Sequence, residues 1–457
     1  MSGVESLLAG AVGPEHVLAA GAALADYGHD EALGTRPAEP ALVIRPGRAA
    51  EVAEVLRIAG EHALAVTARG SGTGLAGAAI PRLGGLVISF ERMDQILEID
   101  AANHVAVVQP GVTLAALDAA CAGHNLVYPV YPGEMSASLG GTIATNAGGM
   151  RAVKYGVTRR HVLGLEIVLA SGEVIRTGGK YVKVSSGYDL TQLIIGSEGT
   201  LALVTEATLR LYPRLPCQAT LLAPFGSLAE VTAAVPQVVA SGVGPLILEY
   251  IDGRTMAVIT QGEDAGLGIP GSVQESVQAY LLVVQEERDT GRLDADVTDL
   301  AGLLARAGAA DVYVLPEAAA RRLIAARENA FWAAKRAGAD DIVDAVVPRA
   351  AMAAFLGEVA QIATRHSRMV LGTGHAGDGN VHLAVFEPDD AARSQMMREI
   401  LAAARASGGA VSGEHGIGTA KASYFLELAD PAAVSLMRRI KDALDPRGIL
   451  NPGVLFG

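Results

Sequence analysis

Apolar and polar positions in the first half of the chain follow the short periods of strands, with a few helical stretches between them. Apolar runs at 41–46 and 65–70 bracket an amphipathic stretch at 48–63, which predicts a small βαβ unit. The remaining predicted elements are a helix at 15–25, strands at 86–90, 95–100 and 104–112, a helix at 113–124, a hairpin at 164–179 and a strand pair at 200–213. This order predicts an α+β fold with mixed strand directions.

The pattern changes after Pro213 and Pro216, where helices and strands begin to alternate. The predicted elements are helices at 227–241, 293–307 and 317–337 and strands at 246–251, 279–287 and 311–316. Such alternation favours a sheet with helices on one face. Residues 349–457 are predicted to be helices around two glycine-rich loops. We therefore divide the chain into an N-terminal helical segment, 1–34, a first domain, 35–214, and a second domain, 215–457.

Composition narrows the class of protein. The 36 basic and 49 acidic residues leave a net charge of −13, the wrong sign for gripping nucleic acid or an anionic membrane by bulk charge. Cys121 and Cys217 are too few for a disulfide framework or an iron–sulfur cluster. With no long apolar run and no early basic residue, we expect a cytoplasmic protein without a transmembrane segment. The 54 glycines suggest backbone brought close to a ligand.

The first glycine-rich segment, RGSGTGLAGAAIP at 69–81, contains G-x-G-x-x-G at 72–77. A dinucleotide fingerprint must open a long helix, but Pro81 and the following glycines leave no room for one. We predict instead a backbone nest over 70–74 that wraps a diphosphate, with hydroxyl donors in the loop and Arg69 nearby for charge. The alternative is a plain glycine-rich turn between strands.

Two more glycine-rich segments follow. The stretch 131–156 has too much glycine for a core element and too little charge for a solvated linker. Its hydroxyl and amide side chains can point donors at a large polar ligand while glycine allows close backbone approach. The segment GSEGTLALVTE at 196–206 places glycine turns just before a strand.

Histidines and acids cluster in two glycine-rich loops of the second domain. HAGDGNVH at 375–382 spaces two histidines by seven, so both can meet one ion only if the glycines between them form a turn or bulge. VSGEHGIG at 411–418 adds a carboxylate and an imidazole. Two imidazoles and one carboxylate suit zinc or another divalent transition metal. The alternative is a pair of histidines satisfied by backbone carbonyls; the ligand pattern of a calcium loop is missing.

The chain contains, in this order, RGSGTG, SLGGTIATNAGG with KYG, and GYDL with GSEGTL. Together these motifs resemble the FAD domain of the vanillyl-alcohol oxidase type. The second half resembles the glycolate oxidase flavin subunit and D-lactate dehydrogenases, and the likeness covers about 25–456. It implies a two-subdomain PCMH-type FAD-binding domain at 35–214. It also implies an α+β substrate (cap) domain at 215–457, with an antiparallel sheet and a C-terminal helical segment whose last residues, about 440–457, return to the flavin.

The resemblance implies that FAD is bound non-covalently, because no histidine occupies the 69–77 loop where relatives attach flavin. Ala78 and Ala202 stand where the family usually has glycine. The implied FAD-binding residues are Arg69, Gly70, Ser71, Gly72, Thr73, Gly74, Leu75, Pro132, Gly133, Ser136, Gly140, Gly141, Thr142, Thr145, Asn146, Gly148, Gly149, Tyr155, Gly156, Glu198, Gly199, Val204 and Asn451.

The resemblance also implies the roles of polar residues in the second domain. His375, His382 and Glu414 fall on the metal-ligand positions of D-2-hydroxy-acid dehydrogenases. The implied catalytic residues are His415 as the base that takes the hydroxyl proton, Arg327 as the clamp on the substrate carboxylate, and Asn380. Arg349 is a second candidate for the clamp. Relatives acting on longer diacids carry a lysine where this protein has Ile342, which favours a small monocarboxylic acid.

The expected function is therefore FAD-dependent, metal-assisted oxidation of a small D-2-hydroxy acid, glycolate or D-lactate. An external acceptor, a quinone, cytochrome, electron-transfer flavoprotein or iron–sulfur subunit, would take the electrons. We expect no nucleic-acid partner, a homodimer as one arrangement, and a membrane-peripheral position only through the acceptor. The rivals are flavin-dependent alkyl transfer, as in ether-lipid synthases, and a flavin subunit that only relays electrons.

Overall fold

A computed structural model describes residues 2–19, 21–260, 269–270, 273 and 277–457. Its helices are α1 Ser2–Val12, α2 Ala49–Glu61, α3 Leu114–Ala122, α4 Leu139–Thr145, α5 Ala152–Tyr155, α6 Leu190–Ile194, α7 Leu228–Ala240, α8 Gly253–Ile259, α9 Thr290–Arg306, α10 Glu317–Glu328, α11 Ala330–Arg336, α12 Met352–Arg365, α13 Asp390–Ala406, α14 Ala422–Leu428 and α15 Pro431–Leu444.

The strands of the described residues form three main sheets and one two-stranded ribbon. They are β1 Val17–Leu18, β2 Leu42–Ile44, β3 Val66–Arg69, β4 Leu86–Ser89, β5 Ile96–Asp100, β6 Val105–Val108, β7 Leu126–Val127, β8 Val162–Val168, β9 Val174–Gly178, β10 Leu203–Arg210, β11 Tyr212–Pro213, β12 Cys217–Phe225, β13 Ile247–Asp252, β14 Ala279–Glu287, β15 Tyr313–Val314, β16 Asp341–Val346, β17 Met369–His375 and β18 Asn380–Phe386.

Two small sheets build the first half of the chain. The first has the order β1-β2-β4-β3, in which β2 and β3 both run parallel to β4, so the predicted βαβ unit is present with α2 as its crossover. The apolar side of α2 packs on this sheet through residues such as Val52, Val55 and Leu56, all fully buried. The second sheet is antiparallel, in the order β5-β6-β10-β8-β9. The first glycine-rich segment, 69–81, lies between β3 and β4 of the first sheet, and the segments 131–156 and 196–206 lead towards β8 and β10 of the second.

One antiparallel sheet of seven strands forms the second half, in the order β15-β12-β14-β13-β17-β18-β16. A large apolar core lies on one face of this sheet and includes residues of α7, α12 and α13. On the other face, α8 and α10 pack against β12, β13 and β14, so the prediction of helices on one face was wrong. Side chains of β13, β16, β17 and β18 on this face line the site described below. The α+β fold with an antiparallel sheet in its second half is therefore confirmed.

Several local predictions were wrong. The alanine-rich stretch 15–25 is not an α-helix: α1 lies earlier, and 3-10 turns and the short β1 occupy much of the stretch. The glycine-rich stretch 131–156 contains α4 and α5, and Leu139 and Ile143 of α4 belong to the core. The block 349–457, predicted as helices around loops, contributes β17 and β18 to the large sheet. The predicted strand pair at 200–213 is β10 followed by the short β11.

Candidate active site

The larger of two adjoining cavities lies where the glycine-rich segments of the first half meet the loop 411–418 of the second half. We call it the large cavity; its volume is about 220 Å³. Sixteen of the predicted FAD-binding residues line it: Arg69, Gly70, Ser71, Gly72, Thr73, Gly74, Leu75, Pro132, Gly140, Gly141, Thr142, Thr145, Glu198, Gly199, Val204 and Asn451. Glu414 and His415 also line it. Glycine loops distant in sequence thus converge on one cavity.

The loop 70–74 follows β3 directly and presents its backbone to the large cavity. A Cβ atom at Gly70 would lie 1.9 Å from the Ser138 hydroxyl, so only glycine allows this approach. Ser138 caps α4, its hydroxyl accepting from the N–H of Gly141 at 3.4 Å. The Arg69 guanidinium lies behind the loop, where it donates to the backbone carbonyls of His29 at 2.5 Å and Asp26 at 3.0 Å. Its hydrogen bonds therefore tie the N-terminal segment to the loop.

Seven predicted FAD-binding residues do not line the large cavity: Gly133, Ser136, Asn146, Gly148, Gly149, Tyr155 and Gly156. Tyr155 donates to Glu286 of β14 at 2.8 Å, and Asn146 accepts from the N–H of Arg159 at 2.9 Å. A Cβ at Gly148 would lie 2.7 Å from a Glu414 carboxylate oxygen. Gly133 lines the neighbouring smaller cavity instead. Contact of these seven residues with a cofactor stays a prediction.

The C-terminal segment returns to the large cavity through Asn451. Its backbone N–H donates to Val66 of β3 at 2.7 Å, and its amide donates to the carbonyls of Ala78 and Glu198 at 3.0 and 2.7 Å. Asn451 therefore connects the glycine loop after β3 with the segment before β10.

His375 and His382 lie at adjoining ends of the hairpin formed by β17 and β18. The β-ladder pairs His375 with Asn380 and Thr373 with His382, so the turn 376–379 brings both imidazoles to the same sheet face. Glu414 Oε1 lies 2.9 Å from His375 Nε2 and 3.2 Å from His382 Nε2. One ligand atom from each residue falls within a 4.8 Å group that could hold a metal ion. The hairpin thus brings together two histidines that are seven residues apart in the sequence.

Glu249 of β13 holds His375 from behind. Its Oε1 lies 2.6 Å from His375 Nδ1, and its Oε2 lies 2.6 Å from Arg327 Nη2. Burial alone would lower the pKa of His375, but the carboxylates of Glu249 and Glu414 outweigh it and raise that pKa to about 10. A metal ion bound at Nε2 of His375 would take the place of the proton that this nitrogen carries when the imidazole is charged. A carboxylate on the far nitrogen of a ligand histidine is the arrangement that orients metal-bound imidazoles.

Asp344 of β16 anchors the loop that carries Glu414 and His415. Its Oδ2 accepts from the Ser412 hydroxyl at 2.7 Å and from the backbone N–H groups of residues 413, 414 and 415 at 2.8–3.1 Å. Its Oδ1 accepts from the Asn380 amide at 2.9 Å. Asp344, His382 and His415 form a second group spaced for a metal ion. Because Asp344 already accepts five hydrogen bonds, the group of His375, His382 and Glu414 is better suited to bind a cation.

His415 stacks on His382, with ring centroids 4.9 Å apart and an interplanar angle of 10°. Burial lowers the pKa of His415 to about 4, and the nearby Asp344 carboxylate offsets only part of this effect. The imidazole is therefore neutral at pH 7, and its Nδ1 has no hydrogen-bond partner in the described part of the chain. A neutral ring beside a metal site can accept a proton.

Two other predicted residues lie apart from the cavities. Asn380 is buried, and its amide donates to Asp344 and to the Ala345 carbonyl, both at 2.9 Å. Neither cavity is lined by Asn380, so its position supports Asp344 and not contact with a substrate. Arg349 is exposed and donates to the Gly377 carbonyl on the outer side of the hairpin. Of the two arginine candidates, Arg327 lines the smaller of these two cavities and Arg349 lines neither of them.

The second cavity, which we call the small cavity, has a volume of about 100 Å³. Five polar residues group together in its lining: His375, His382, Glu414 and His415, which contact one another, and Arg327, which shares the Glu249 carboxylate with His375. Leu75, Pro132, Glu414 and His415 line both cavities, which therefore adjoin at the loop 411–418. Arg327 is buried, with its Nε lacking a hydrogen-bond partner among the described residues. An unsatisfied guanidinium donor in an enclosed site favours binding of an anion.

Neither Glu249 nor the anchoring role of Asp344 was predicted from the sequence. Both are fully buried carboxylates within apolar strands, LILEYI for Glu249 and DIVDAV for Asp344. A buried charge in a strand interior requires a partner, so this pattern was the available signal. Lys421 was also missed; it is buried near the same loop, and its Nζ has no hydrogen-bond partner in the described ranges.

Comparisons with known families agree with this architecture. Residues 40–178 match the FAD binding domain family, and residues 216–455 match the C-terminal domain of FAD linked oxidases. The chain belongs to the FAD-linked oxidase family and is an FAD-linked oxidoreductase of PCMH-type fold. Within the residues described, no helix is both long and apolar enough to cross a membrane.

Full-length relatives support the same family. An uncharacterized FAD-linked oxidoreductase of Mycobacterium tuberculosis (strain H37Rv) is 56% identical, over 98% of this chain and 97% of its own. Glycolate oxidase subunit GlcD of Bacillus subtilis is 38% identical over 97% and 94% of the two chains. D-lactate dehydrogenase of Archaeoglobus fulgidus is 39% identical over 92% of each.

Solved structures share the fold at low sequence identity. p-Cresol methylhydroxylase has a TM-score of 0.81 at 16% identity, covering 99% of this chain and 96% of its own. Alkyldihydroxyacetonephosphate synthase has a TM-score of 0.77 at 16% identity, covering 99% and 86%. At this identity the likeness establishes the fold alone.

The residues of the site fit both FAD and a divalent metal ion. The large cavity offers FAD a wall of glycine backbone, where at Gly70 a side chain would collide with Ser138. The metal group offers two imidazole nitrogens and a carboxylate oxygen, and a carboxylate already orients one of the imidazoles.

Proposed function

We propose that the protein binds FAD non-covalently in the large cavity and oxidises a D-2-hydroxy acid to the 2-oxo acid with the help of a divalent metal. The single observation that carries the proposal is that Glu414 and His415 line both cavities. A proposed metal ligand and a neutral imidazole thus lie at the junction between the expected flavin and substrate positions.

FAD would supply the two-electron acceptor for a hydride from C2, and the metal a Lewis acid for the substrate oxygens. His375, His382 and Glu414 would hold the metal, with Glu249 orienting His375. Gly70–Gly74 and the start of α4 would hold the FAD beside them. No side chain in the 69–77 loop is a histidine, which supports the non-covalent mode.

Arg327 would bind the substrate carboxylate. Its guanidinium is held on one side by Glu249, 2.6 Å away, and this fixes its orientation in the small cavity. The planar fork of arginine matches a carboxylate through paired N–H donors. Among the described residues lining this cavity, Arg327 is the only arginine or lysine, which suits a monocarboxylic acid.

His415 would take the proton of the substrate hydroxyl. Burial keeps its imidazole neutral at pH 7, and its backbone N–H is fixed on Asp344 at 2.8 Å. As C2 loses its hydride, the O–H bond breaks and His415 holds the proton. The imidazolium formed lies close to the Asp344 carboxylate, 4.0 Å from Nδ1, which favours the charged state at that moment.

An external acceptor would reoxidise the flavin, and two relatives support this class of reaction through their names, glycolate oxidase subunit and D-lactate dehydrogenase. The candidate acceptors are a quinone, a cytochrome, an electron-transfer flavoprotein and an iron–sulfur subunit. We further propose a cytoplasmic enzyme that meets the membrane only through that partner.

Anaerobic mixing of the purified holoenzyme with a panel of 2-hydroxy acids tests the proposal. We expect the flavin absorbance to bleach with D-2-hydroxy acids and to persist with their L enantiomers and with carboxylic acids that lack the hydroxyl. If no 2-hydroxy acid bleaches the flavin, alkyl transfer or pure electron relay becomes the better account.

A further inference from the structure

The floor of the small cavity changes from polar to apolar along one face of the large sheet. The ladder pairs His382 with Asp344 on one side and Thr373 on the other. Two residues further along the same strands, Ala384 pairs with Ile342 and Leu371. Because alternate residues of a strand share a face, the row Ile342, Ala384, Leu371 lies directly beside the row that carries His382. All three side chains of this apolar row line the small cavity.

The helices that form the opposite wall of the small cavity also change from polar to apolar residues along it. Arg327 lies near the end of α10, and Phe331 and Ala334 of α11 follow it at spacings of four and seven residues. All three line the cavity, and the guanidinium lies beside the candidate metal ligands because Glu249 contacts both Arg327 and His375. Thr255, Val258 and Ile259 of α8 also line the cavity, and two of these three are apolar. The cavity therefore has one polar end and one apolar end.

The described residues that line the apolar end of the cavity are uncharged. Apart from the proposed metal ligands and His415, the ionisable residues lining the cavity are Arg327 and Glu328, within the part of the chain that is described. Glu328 accepts a hydrogen bond from the Tyr131 hydroxyl, and burial raises its pKa. Among the described residues that line the apolar end, there is no lysine or arginine to pair with a second carboxylate.

We infer that the preferred substrate carries an apolar side chain of about three to five carbons on C2, seated on the row Ile342, Ala384 and Leu371. The inference rests on the proposed function, because that function places the carboxylate and the hydroxyl at the polar end. Glycolate has no side chain, so it would leave these apolar surfaces facing water, and D-lactate would cover them with one methyl group. A longer alkyl group would displace that water.

A series of substrates of increasing length measures this preference. We would mix the anaerobic holoenzyme with unbranched D-2-hydroxy acids of two to eight carbons and determine the apparent Kd and the limiting rate of flavin reduction. The apparent Kd should fall by about threefold to fourfold per added methylene, the fold-change of about 0.8 kcal/mol per buried CH₂, up to five to seven carbons. The limiting rate should change little. A Kd that is flat or rises beyond lactate would overturn the inference.

Binding without turnover gives an independent reading. Calorimetric titration of the oxidised holoenzyme with the matching 2-oxo acids should reproduce the same trend in Kd. Ala384→Leu would fill the apolar end and should lower the preference for the six-carbon over the three-carbon acid by about tenfold. Leu371→Ala, which removes the facing side chain, should lower it by about threefold or more. Ala257→Leu, on the exposed side of α8, is the matched control and should leave this ratio unchanged.

The outcomes separate the two proposals. Bleaching by glycolate and lactate with no gain for longer acids would keep the proposed function and reject the apolar seat. Unchanged preference ratios in both Ala384→Leu and Leu371→Ala would also reject it. Absence of bleaching with every acid would reject the proposed function and this inference together.

Discussion

The carboxylate of Glu198 accepts a hydrogen bond from the backbone N–H of Ile417 at 2.9 Å. It accepts another from the N–H of Gly418 at 2.8 Å. Glu198 precedes β10 in the first half of the chain, whereas the loop it holds carries Glu414 and His415. A buried side chain of the FAD-binding half thus positions the loop that joins the two cavities.

Replacing Glu198 with alanine should therefore weaken the loop. Two buried N–H groups would lose their acceptor, at a cost of about 1–3 kcal/mol each, and flavin reduction should slow more than FAD binding weakens. Thermal unfolding and stopped-flow reduction measure the two effects. Glu61→Ala on the exposed surface is the control. Full-speed reduction in the Glu198→Ala protein would show that the loop holds its shape without this carboxylate.

Glu198 should also make stability depend on pH. Burial raises its pKa from 4.5 to about 7, with the two N–H donors and Lys421 offsetting part of the shift. Between these values the folded protein binds more protons at Glu198 than the unfolded chain, so the group lowers the free energy of unfolding as pH rises through this window. The Glu198→Gln protein has no titrating group at this position, so its free energy of unfolding does not fall with pH for this reason. From pH 5 to pH 8 its stability relative to the parent should rise by at most about 3 kcal/mol in urea unfolding; a constant difference would contradict the assignment.

Glu249 offers a test of metal orientation. Glu249→Gln keeps the size of the side chain but removes the negative charge behind His375, and we expect metal affinity to fall by about 10- to 100-fold. Competition with a chromophoric chelator measures the affinity. Glu287→Gln, at the end of β14, is the matched control. An unchanged affinity would mean that Glu249 serves Arg327 alone.

Arg327→Lys separates substrate binding from chemistry. The variant keeps the positive charge but loses the planar fork, and should weaken carboxylate binding by about 1.5–3 kcal/mol, or about tenfold or more in apparent Kd. The limiting rate of flavin reduction should stay near that of the parent. Arg336→Lys, on the exposed end of α11, is the control. A loss confined to the limiting rate would place Arg327 in the chemical step.

His415→Ala should show the opposite split. Loss of the proton acceptor should lower the limiting rate of flavin reduction by about 10²- to 10⁴-fold, while the apparent Kd changes much less. His124→Ala, an exposed residue after α3, controls for the loss of an imidazole. If the His415→Ala protein reduces its flavin as fast as the parent, another group takes the proton.

The sequence was most informative where chemistry lies in contiguous motifs. RGSGTG, HAGDGNVH and SGEHG each carry their residue types and glycines within a few positions, so the cavity loops and the candidate metal ligands could be selected from them. The roles of Glu249 and Asp344 could not be predicted in this way, because they depend on which strands neighbour β17 and β18. Strand order and register are long-range properties that periodicity does not encode. The apolar row through Ile342 emerged for the same reason only from the ladder.

Metal content and flavin reduction, measured together on one preparation, test the central claim most directly. FAD-loaded protein is depleted of metal with a chelator, its metal content is determined by mass spectrometry, and it is mixed anaerobically with a D-2-hydroxy acid before and after zinc or manganese is restored. We predict that the flavin stays oxidised without metal and bleaches once about one ion per protein molecule is restored, and that His382→Ala retains FAD but neither binds the ion nor bleaches. Equally fast bleaching in the metal-free protein would contradict the account.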